Sequence, residues 1–316
     1  QLTLHIMNRI ALALDLGGTN LRLAAVGEDG TVYSRSRSET PKGSSGDDVI
    51  DLIVRLAENC RDGLADPLSV CAIAAAVPAT INIEKGILNK LPNLRCLEGV
   101  PLRDILAKRL GIEAVLENDA TAAAIGENWL GASRGVDTSI CVTLGTGVGG
   151  GLVINGEPYR GKDGTAGEVG HICVEPNGHP CGCGSRGCIE QYASATAIIR
   201  SAINAGLEVG SSSAVYEAAK SGDKRASAVF SSMGSYLGIG LAGLVNVLNP
   251  EMIVLGGGVS AAWDLFADEV RREVNERAFP EPADRVKIVR AELGDDAGIL
   301  GAARAVFASV RRGAAN

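Results

Sequence analysis

Gly164 to Glu190 reads GTAGEVGHICVEPNGHPCGCGSRGCIE and holds two of the chain's three histidines and four of its eight cysteines. Thiolate sulfur and imidazole nitrogen at such short spacings are the ligands zinc prefers. His171, Cys181, Cys183 and Cys188 form the pattern H-x9-C-x-C-x4-C, a complete tetrahedral set, with His179 and Cys173 as rivals close by. Glu168 and Glu190, at the edges of the stretch, are acceptors of the kind a polar substrate needs. Metal chemistry and substrate chemistry are therefore expected to share one loop.

The remaining chemistry lies in three glycine-rich turns and one acidic tripeptide. Asp15-Leu16-Gly17-Gly18-Thr19-Asn20 sets a carboxylate ahead of a turn whose glycines let backbone N–H groups approach an anion. The carboxylate suits a Mg²⁺–phosphate group, and Thr19 has a hydroxyl to donate; a plain hairpin turn is the alternative reading. The pattern GxxxxGK[ST] is missing, so this is not a P-loop. Gly145 to Gly151, with five glycines in seven residues, reads as the same device, and Gly256-Gly257-Gly258 follows a third strand. Glu117-Asn118-Asp119 stands between a short strand and a helix over 120–130. Asp119 is placed either to cap that helix or, kept ionised by the helix N-terminus, to accept a proton from a hydroxyl.

The elements that must position these groups are legible from periodicity. Residues 10–16, 20–26 and 31–37 read as strands, with a hairpin signal at Glu28-Asp29-Gly30. Val49, Ile50, Ile53, Leu56, Ala57 and Cys60 fall at helical spacing over 47–61. A strand at 69–77, an irregular segment over 78–100, a helix at 101–110 and a strand at 112–117 follow. The pattern then restarts: 138–144 runs into glycines as 10–16 did, with a second hairpin at Asn155-Gly156, which points to a duplicated core. Helices are expected at 194–205, 213–220, 224–247, 261–277 and 297–311, with a strand at 251–255 entering the third glycine turn. Three strands running into glycine turns suit a nucleotide held between two domains.

At 316 residues the chain is long enough for two domains, each with its own core. Abundant glycine and only 3% aromatic residues favour closely packed α/β layers. A net charge of -7 argues against nucleic acid as a partner. No apolar run reaches membrane-spanning length and the N-terminus has no signal-peptide pattern, so a cytoplasmic protein with no membrane partner is expected. Cys60, Cys71, Cys96 and Cys141 are scattered among apolar residues and read as buried thiols of a reducing compartment. Residues 1–6, ahead of Met7, read as an extension with no part in the fold.

The DLGGTN turn, the END tripeptide, LGTGVGGG, GEVGH and CGCGSRGCIE resemble, in their order, the ROK family of sugar kinases and repressors. The resemblance spans nearly the whole chain from about residue 9. It implies an actin-like ATPase (ribonuclease H-like) α/β fold of two domains around a cleft. The smaller would be 1–118, joined by the C-terminal helix at about 297–316, and the larger 119–296 would carry the zinc loop. Asp119 would take the proton from a sugar 6-hydroxyl, while Asn93, Asn118, Glu168, His171 and Glu190 would hold sugar hydroxyls. Asp15 would face Mg·ATP beside Gly17, Gly18, Thr19 and Asn20. Thr146 and Gly147 would cradle phosphate, and Gly256, Gly257 and Gly258 would line the adenosine side. His171 would both bind a structural zinc and touch the sugar, which favours it over His179. One departure is Val77-Pro78-Ala79-Thr80, where many relatives carry Pro-Gly-Pro; alanine takes positive φ less readily, which weakens the case for sugar contacts from that turn.

The resemblance implies an ATP-dependent hexose kinase of glucokinase type, with N-acetylmannosamine, fructose or allose as alternative substrates and a homodimer or homotetramer as the assembly. A sugar-responsive repressor is the competing class. Its helix-turn-helix would precede the fold, whereas here the first strand begins near residue 10 and the charge is acidic. A sugar-binding scaffold without catalysis is disfavoured by the presence of both Asp15 and Asp119.

Overall fold

The computed structural model describes residues 9–41, 43, 45–91 and 94–313, with side chains to 310. The supposed extension at 1–6 and the candidate Asn93 lie outside the described residues. Two compact units divide the chain: one holds the residues up to Leu130, Arg160–Ala166 and the chain from Asp295 onward, the other Gly131–Tyr159 and Gly167–Gly294. Each unit has its own hydrophobic core.

In the first unit β1 (Ile10–Leu16), β2 (Asn20–Gly27) and β3 (Val32–Glu39) form an antiparallel meander, followed by α1 (Gly46–Asp62). The first turn of α1 is closed by a capping box: Ser45 Oγ accepts from the Asp48 N–H while the Asp48 carboxylate accepts from the Ser45 N–H. Next come β4 (Val70–Val77), β5 (Thr80–Asn82), β6 (Ile87–Lys90), α2 (Leu102–Leu110), β7 (Glu113–Asn118) and α3 (Asp119–Leu130). The sheet order is β3-β2-β1-β4-β7, with β1, β4 and β7 parallel. β1 and β4 are buried on both faces, as their unbroken apolar runs require. Leu12 and Leu14 are almost fully buried, and each contributes about 2 kcal/mol of apolar burial. The segment expected to be irregular contains the short β5–β6 hairpin.

The second unit repeats the plan. β8 (Ser139–Leu144), β9 (Val148–Ile154) and β10 (Glu157–Tyr159) form the meander, then α4 (Glu190–Ala193), α5 (Ala195–Asn204), α6 (Ser212–Lys220) and α7 (Lys224–Leu248) follow. β11 (Met252–Gly256), α8 (Trp263–Arg277), α9 (Pro280–Arg285) and β12 (Lys287–Arg290) complete it. Its sheet order, β10-β9-β8-β11-β12, matches the first position for position, antiparallel on one side and parallel on the other. Both sheets are mixed, five-stranded and flanked by helices, the duplicated α/β core read from the two strand–glycine units.

Among the described residues α7 is the one helix long and apolar enough to cross a membrane. This corrects the statement that no such run exists: serines interrupt the apolar residues, yet the mean hydropathy of an 18-residue window is 1.5. More than half of that window is buried, and α7 packs against α4, α5, α6 and α8 in the core of its unit.

The last helix, α10 (Ala297–Gly313), belongs to the first unit, where it packs on α3, β1 and β4. Small residues set that contact. A Cβ on Gly301 would lie 1.7 Å from the Ala122 carbonyl oxygen, and one on Gly126 2.3 Å from that of Ala297, so the backbones meet with no side chain between them. The division expected at 118/119 falls between β7 and α3, whereas α3 groups with the first unit through this contact.

Candidate active site and metal centre

At the end of β7 three consecutive polar residues take three different positions. Glu117 is 3% exposed; its Oε2 accepts from Arg160 Nε at 2.9 Å and Nη2 at 2.5 Å, and its Oε1 from the Asn118 N–H at 3.2 Å. Asn118 caps α3: its Oδ1 accepts from the N–H groups of Ala120 and Thr121, both at 3.0 Å. Its Nδ2 donates to the Ala79 carbonyl at 3.3 Å with one of its two amide hydrogens. The cap is thus Asn118 and not Asp119, because the helix starts at Asp119, one residue earlier than that reading assumed. Asp119 sits in the first turn of α3, half-buried, with Oδ1 2.8 Å from the Ala120 N–H. Ala79 is not among the described residues with positive φ, so the Val77–Thr80 turn carries no strain from its alanine.

Asp15 is the last residue but one of β1, in the same unit. Burial pushes its carboxyl up; Arg22, donating to Oδ2 from Nε and Nη2, pulls it down, and Asp295 pushes it up again. Only Oδ2 is taken by Arg22, so Oδ1 remains as a hard oxygen donor of the kind Mg²⁺ uses. In the turn that follows, Thr40 ties down two carbonyls, its Oγ1 donating to Gly17 O at 2.7 Å and its N–H to Thr19 O at 2.9 Å. The Asn20 side-chain oxygen accepts from Arg37. In the second unit Ala195 N–H donates to Gly145 O and Thr196 Oγ1 to Thr146 O, so that turn is held by its carbonyls too.

The glycines after it have a different cause from the one expected. Gly149, Gly150 and Gly151 lie inside β9, paired with Thr143, Val142 and Cys141, and are not part of the turn. A Cβ on Gly150 would meet Val169 at 2.4 Å and Gly167 O at 2.5 Å, so the strand is bare where the GEVGH segment lies on it. A Cβ on Gly147 would lie 2.4 Å from Glu190 Oε2, and that oxygen accepts from the Val148 N–H at 3.1 Å. Glu190 therefore rests against the second glycine turn. At the third turn Gly257 has φ +81° and fits against Leu144, a conformation and a space that both require glycine. A Cβ on Gly258 would meet nothing within 4 Å.

The cysteine-rich loop closes on itself. One ligand atom each from His171, Cys181, Cys183 and Cys188 lies within 4.8 Å of all the others. Cys181 Sγ is 3.6 Å from His171 Nδ1, and Cys183 Sγ is 3.7 Å from Cys188 Sγ. With Zn–S near 2.3 Å and Zn–N near 2.05 Å, a regular tetrahedron has S···N edges of about 3.6 Å and S···S edges of about 3.8 Å. The cluster fits that geometry, and the sulfur pair is far too long for a disulfide. Burial and the neighbouring Cys181 and Cys183 thiols push Cys188 up to about 12, so three thiolates here need a cation to hold them together. His179 lies outside the cluster; its ring packs against Tyr192, and its backbone N–H donates to the Tyr192 hydroxyl. Cys173 is exposed, and only its backbone bridges to Cys188. His171 turns its other nitrogen, Nε2, toward Glu168 at 3.9 Å. Cys181 Sγ is 4.0 Å from Glu190 Oε1, so Glu190 stands between the cluster and the glycine turn.

Within the first unit, then, lie the Asp15 turn, Asn118 and Asp119; within the second lie Thr146, Gly147, Glu168, His171, Glu190, the cysteines and Gly256–Gly258. A surface groove of about 750 Å³ between Asp51, Arg55, Glu58 and Arg109 touches none of them. Arg160, Arg22 and Thr40 escaped the sequence reading, which named Glu117 in its tripeptide without giving it a role.

The sequence matches the model of the ROK family over residues 11–308. The chain belongs to the ROK family. It is 38% identical over 307 residues to a glucokinase of Thermotoga maritima, a match covering 92% of this chain and 95% of that one. A putative xylose repressor of Caldicellulosiruptor sp. is 30% identical over 95% of this chain and 79% of its own length. Among solved structures, a ROK hexokinase from Thermus thermophilus superimposes with a TM-score of 0.85 at 32% identity, covering 96% of this chain and 99% of that one. A ROK family glucokinase from Streptomyces griseus, in complex with glucose and AMPPNP, gives 0.80 at 34% identity over 94% and 98%. The two five-stranded mixed sheets of this ROK chain are those of the actin-like hexokinase fold.

Proposed function

We propose that this ROK protein is an ATP-dependent hexose kinase of glucokinase type. The observation that supports the reading is the placement of Asp119 in the first turn of α3, half-buried beside the Asn118 cap, where its carboxylate would serve as base. The 6-hydroxyl oxygen of the sugar attacks the γ-phosphorus of ATP, its proton passes to Asp119, and ADP leaves with the bridging electron pair. In a loose transition state positioning is the larger part of catalysis and the proton moves late. Asn118, Glu168, His171 and Glu190 hold the sugar hydroxyls; Asn93 is a further candidate. The backbone around Gly17, Gly18, Thr19, Asn20, Thr146 and Gly147 cradles phosphate, and Gly256–Gly258 line the adenosine side. Asp15 would hold Mg²⁺, which supplies charge neutralisation on the phosphates when bound.

His171, Cys181, Cys183 and Cys188 would hold a structural zinc with no open coordination position, which would fix the loop that carries Glu190. Glucose is the preferred substrate on the strength of the glucokinase relatives; N-acetylmannosamine, fructose and allose are the alternatives. A cytoplasmic homodimer or homotetramer goes with this reading. The likeness to a xylose repressor favours a second one, sugar-responsive regulation. A coupled assay over a hexose panel with ATP and Mg²⁺ separates the two. Phosphorylation of glucose is expected, and no turnover of any hexose would overturn the kinase.

A further inference from the structure

Arg160 and Glu117 are 43 residues apart in sequence and form the most buried Arg–carboxylate contact next to the proposed base, with side-chain exposures of 25% and 4%. Arg160 Nε and Nη2 converge on Glu117 Oε2, while Oε1 accepts from the backbone amide of Asn118. β7 pairs with β4 as far as Val77 and Asn118, so regular strand pairing stops at this residue and α3 begins with the next. Among the contacts that set the direction in which Asp119 leaves the sheet are the Asn118 cap, the Asn118–Ala79 bond and the grip of Glu117 on the Asn118 amide. Arg160 is itself held. Its carbonyl accepts from the N–H groups of Gly164 at 3.1 Å and Ala166 at 3.2 Å, and so closes the loop that leads into Gly167 and Glu168. A buried ion pair seldom stabilises more than apolar residues of equal volume, so stability alone gives little reason for a carboxylate at 117. Its directional hydrogen bonds do.

We propose that Glu117 and Arg160 are a positioning pair that aims Asp119 at the sugar hydroxyl, an inference that rests on the kinase reading above. Neither residue touches substrate; both act through the backbone of Asn118 and Asp119. Arg160→Met, Arg160→Lys and Glu117→Gln in the full chain test this through kcat, sugar KM, nucleotide-free sugar affinity and melting temperature, with kinetics taken well below melting. Misaiming by a fraction of an ångström is expected to lower kcat roughly ten- to a hundredfold in Arg160→Met and Glu117→Gln, with sugar affinity within about threefold of the parent. Arg160→Lys keeps the charge but loses the two-pronged grip, and should recover part of kcat. It also answers the question if the methionine variant fails to fold. The double variant should be no slower than the worse single one. Folded variants with parental kcat, or a loss confined to sugar KM, would overturn the proposal while the parent's activity keeps the kinase reading intact. A parent that phosphorylates no hexose would sink that reading instead.

Discussion

Arg22 Nη2 lies 2.6 Å from Asp15 Oδ2, while Nη1 of the same guanidinium lies 3.1 Å from Asp295. One cation is shared by two carboxylates, and Asp15 is the buried one. The folded state thus prefers Asp15 protonated more than the unfolded chain does, since burial outweighs the pull of Arg22. For a raised carboxyl, the associated stability is present at low pH and lost as pH rises through the folded value. Asp15→Asn should therefore melt above the parent at pH 7, and the gain should shrink as pH falls toward 4. It should also remove turnover, because Asp15 would hold Mg²⁺. Melting curves at the two pH values check the first point, and a variant less stable than the parent at pH 7 would contradict it.

Asp119→Ala should lose roughly 10²- to 10⁴-fold in kcat, the usual worth of a general base, and still bind sugar. Calorimetric titration with glucose beside the coupled assay reads both quantities. Retained turnover would remove Asp119 from the role. Asn118→Ala tests the neighbouring assignment: loss of the α3 cap should cost about 1 kcal/mol of stability.

The long apolar strands, the four larger helices α5 to α8 of the second unit and α10 of the first were legible because burial imposes a period of its own. β5 and β6 were not: Thr80–Asn82 and Ile87–Lys90 are too short to show alternation. Asn118 and Asp119 are both good caps, and local preference has no means of choosing between adjacent ones. Gly149–Gly151 looked like a turn because glycine has low strand propensity; they form a strand by pairing with β8, and Gly150 leaves room for the GEVGH segment lying on β9, contacts made through space. Arg160 and Glu117 show no local pattern, since an ion pair across 43 residues is set by the fold alone. The cysteine cluster was legible throughout, because its ligands come from one loop of 18 residues, His171 to Cys188.

Cys183→Ser should lower metal content from about one zinc per chain toward none and weaken sugar binding, because Glu190 stands against Cys181 and the second glycine turn. Elemental analysis of the purified parent and variant, with sugar titrations, tests both. A parent without metal would remove the zinc assignment, and a metal-free variant with parental sugar affinity would uncouple the loop from the sugar.

Gly301→Ala places a methyl group 1.7 Å from the Ala122 carbonyl oxygen and should cost about 1–3 kcal/mol by forcing α10 away from α3. Gly243→Ala is the control. That glycine lies exposed within α7, its Cβ would meet nothing within 4 Å, and better helix propensity should add up to about 1 kcal/mol. Thermal denaturation of the two variants should therefore move in opposite directions, and a Gly301→Ala melting point equal to the parent's would refute the close packing.

The return of α10 to the first unit also dictates an order of events during synthesis. β1, α3 and the strands between them leave the ribosome early but lack the helix that covers them until the chain has been made past residue 297. The second unit, whose segments all precede that helix, is the first to have its complete complement of elements. The half translated first is thus the last able to close its core, and nascent chains stalled short of α10 will expose the faces of β1, β4 and α3 to chaperones and proteases.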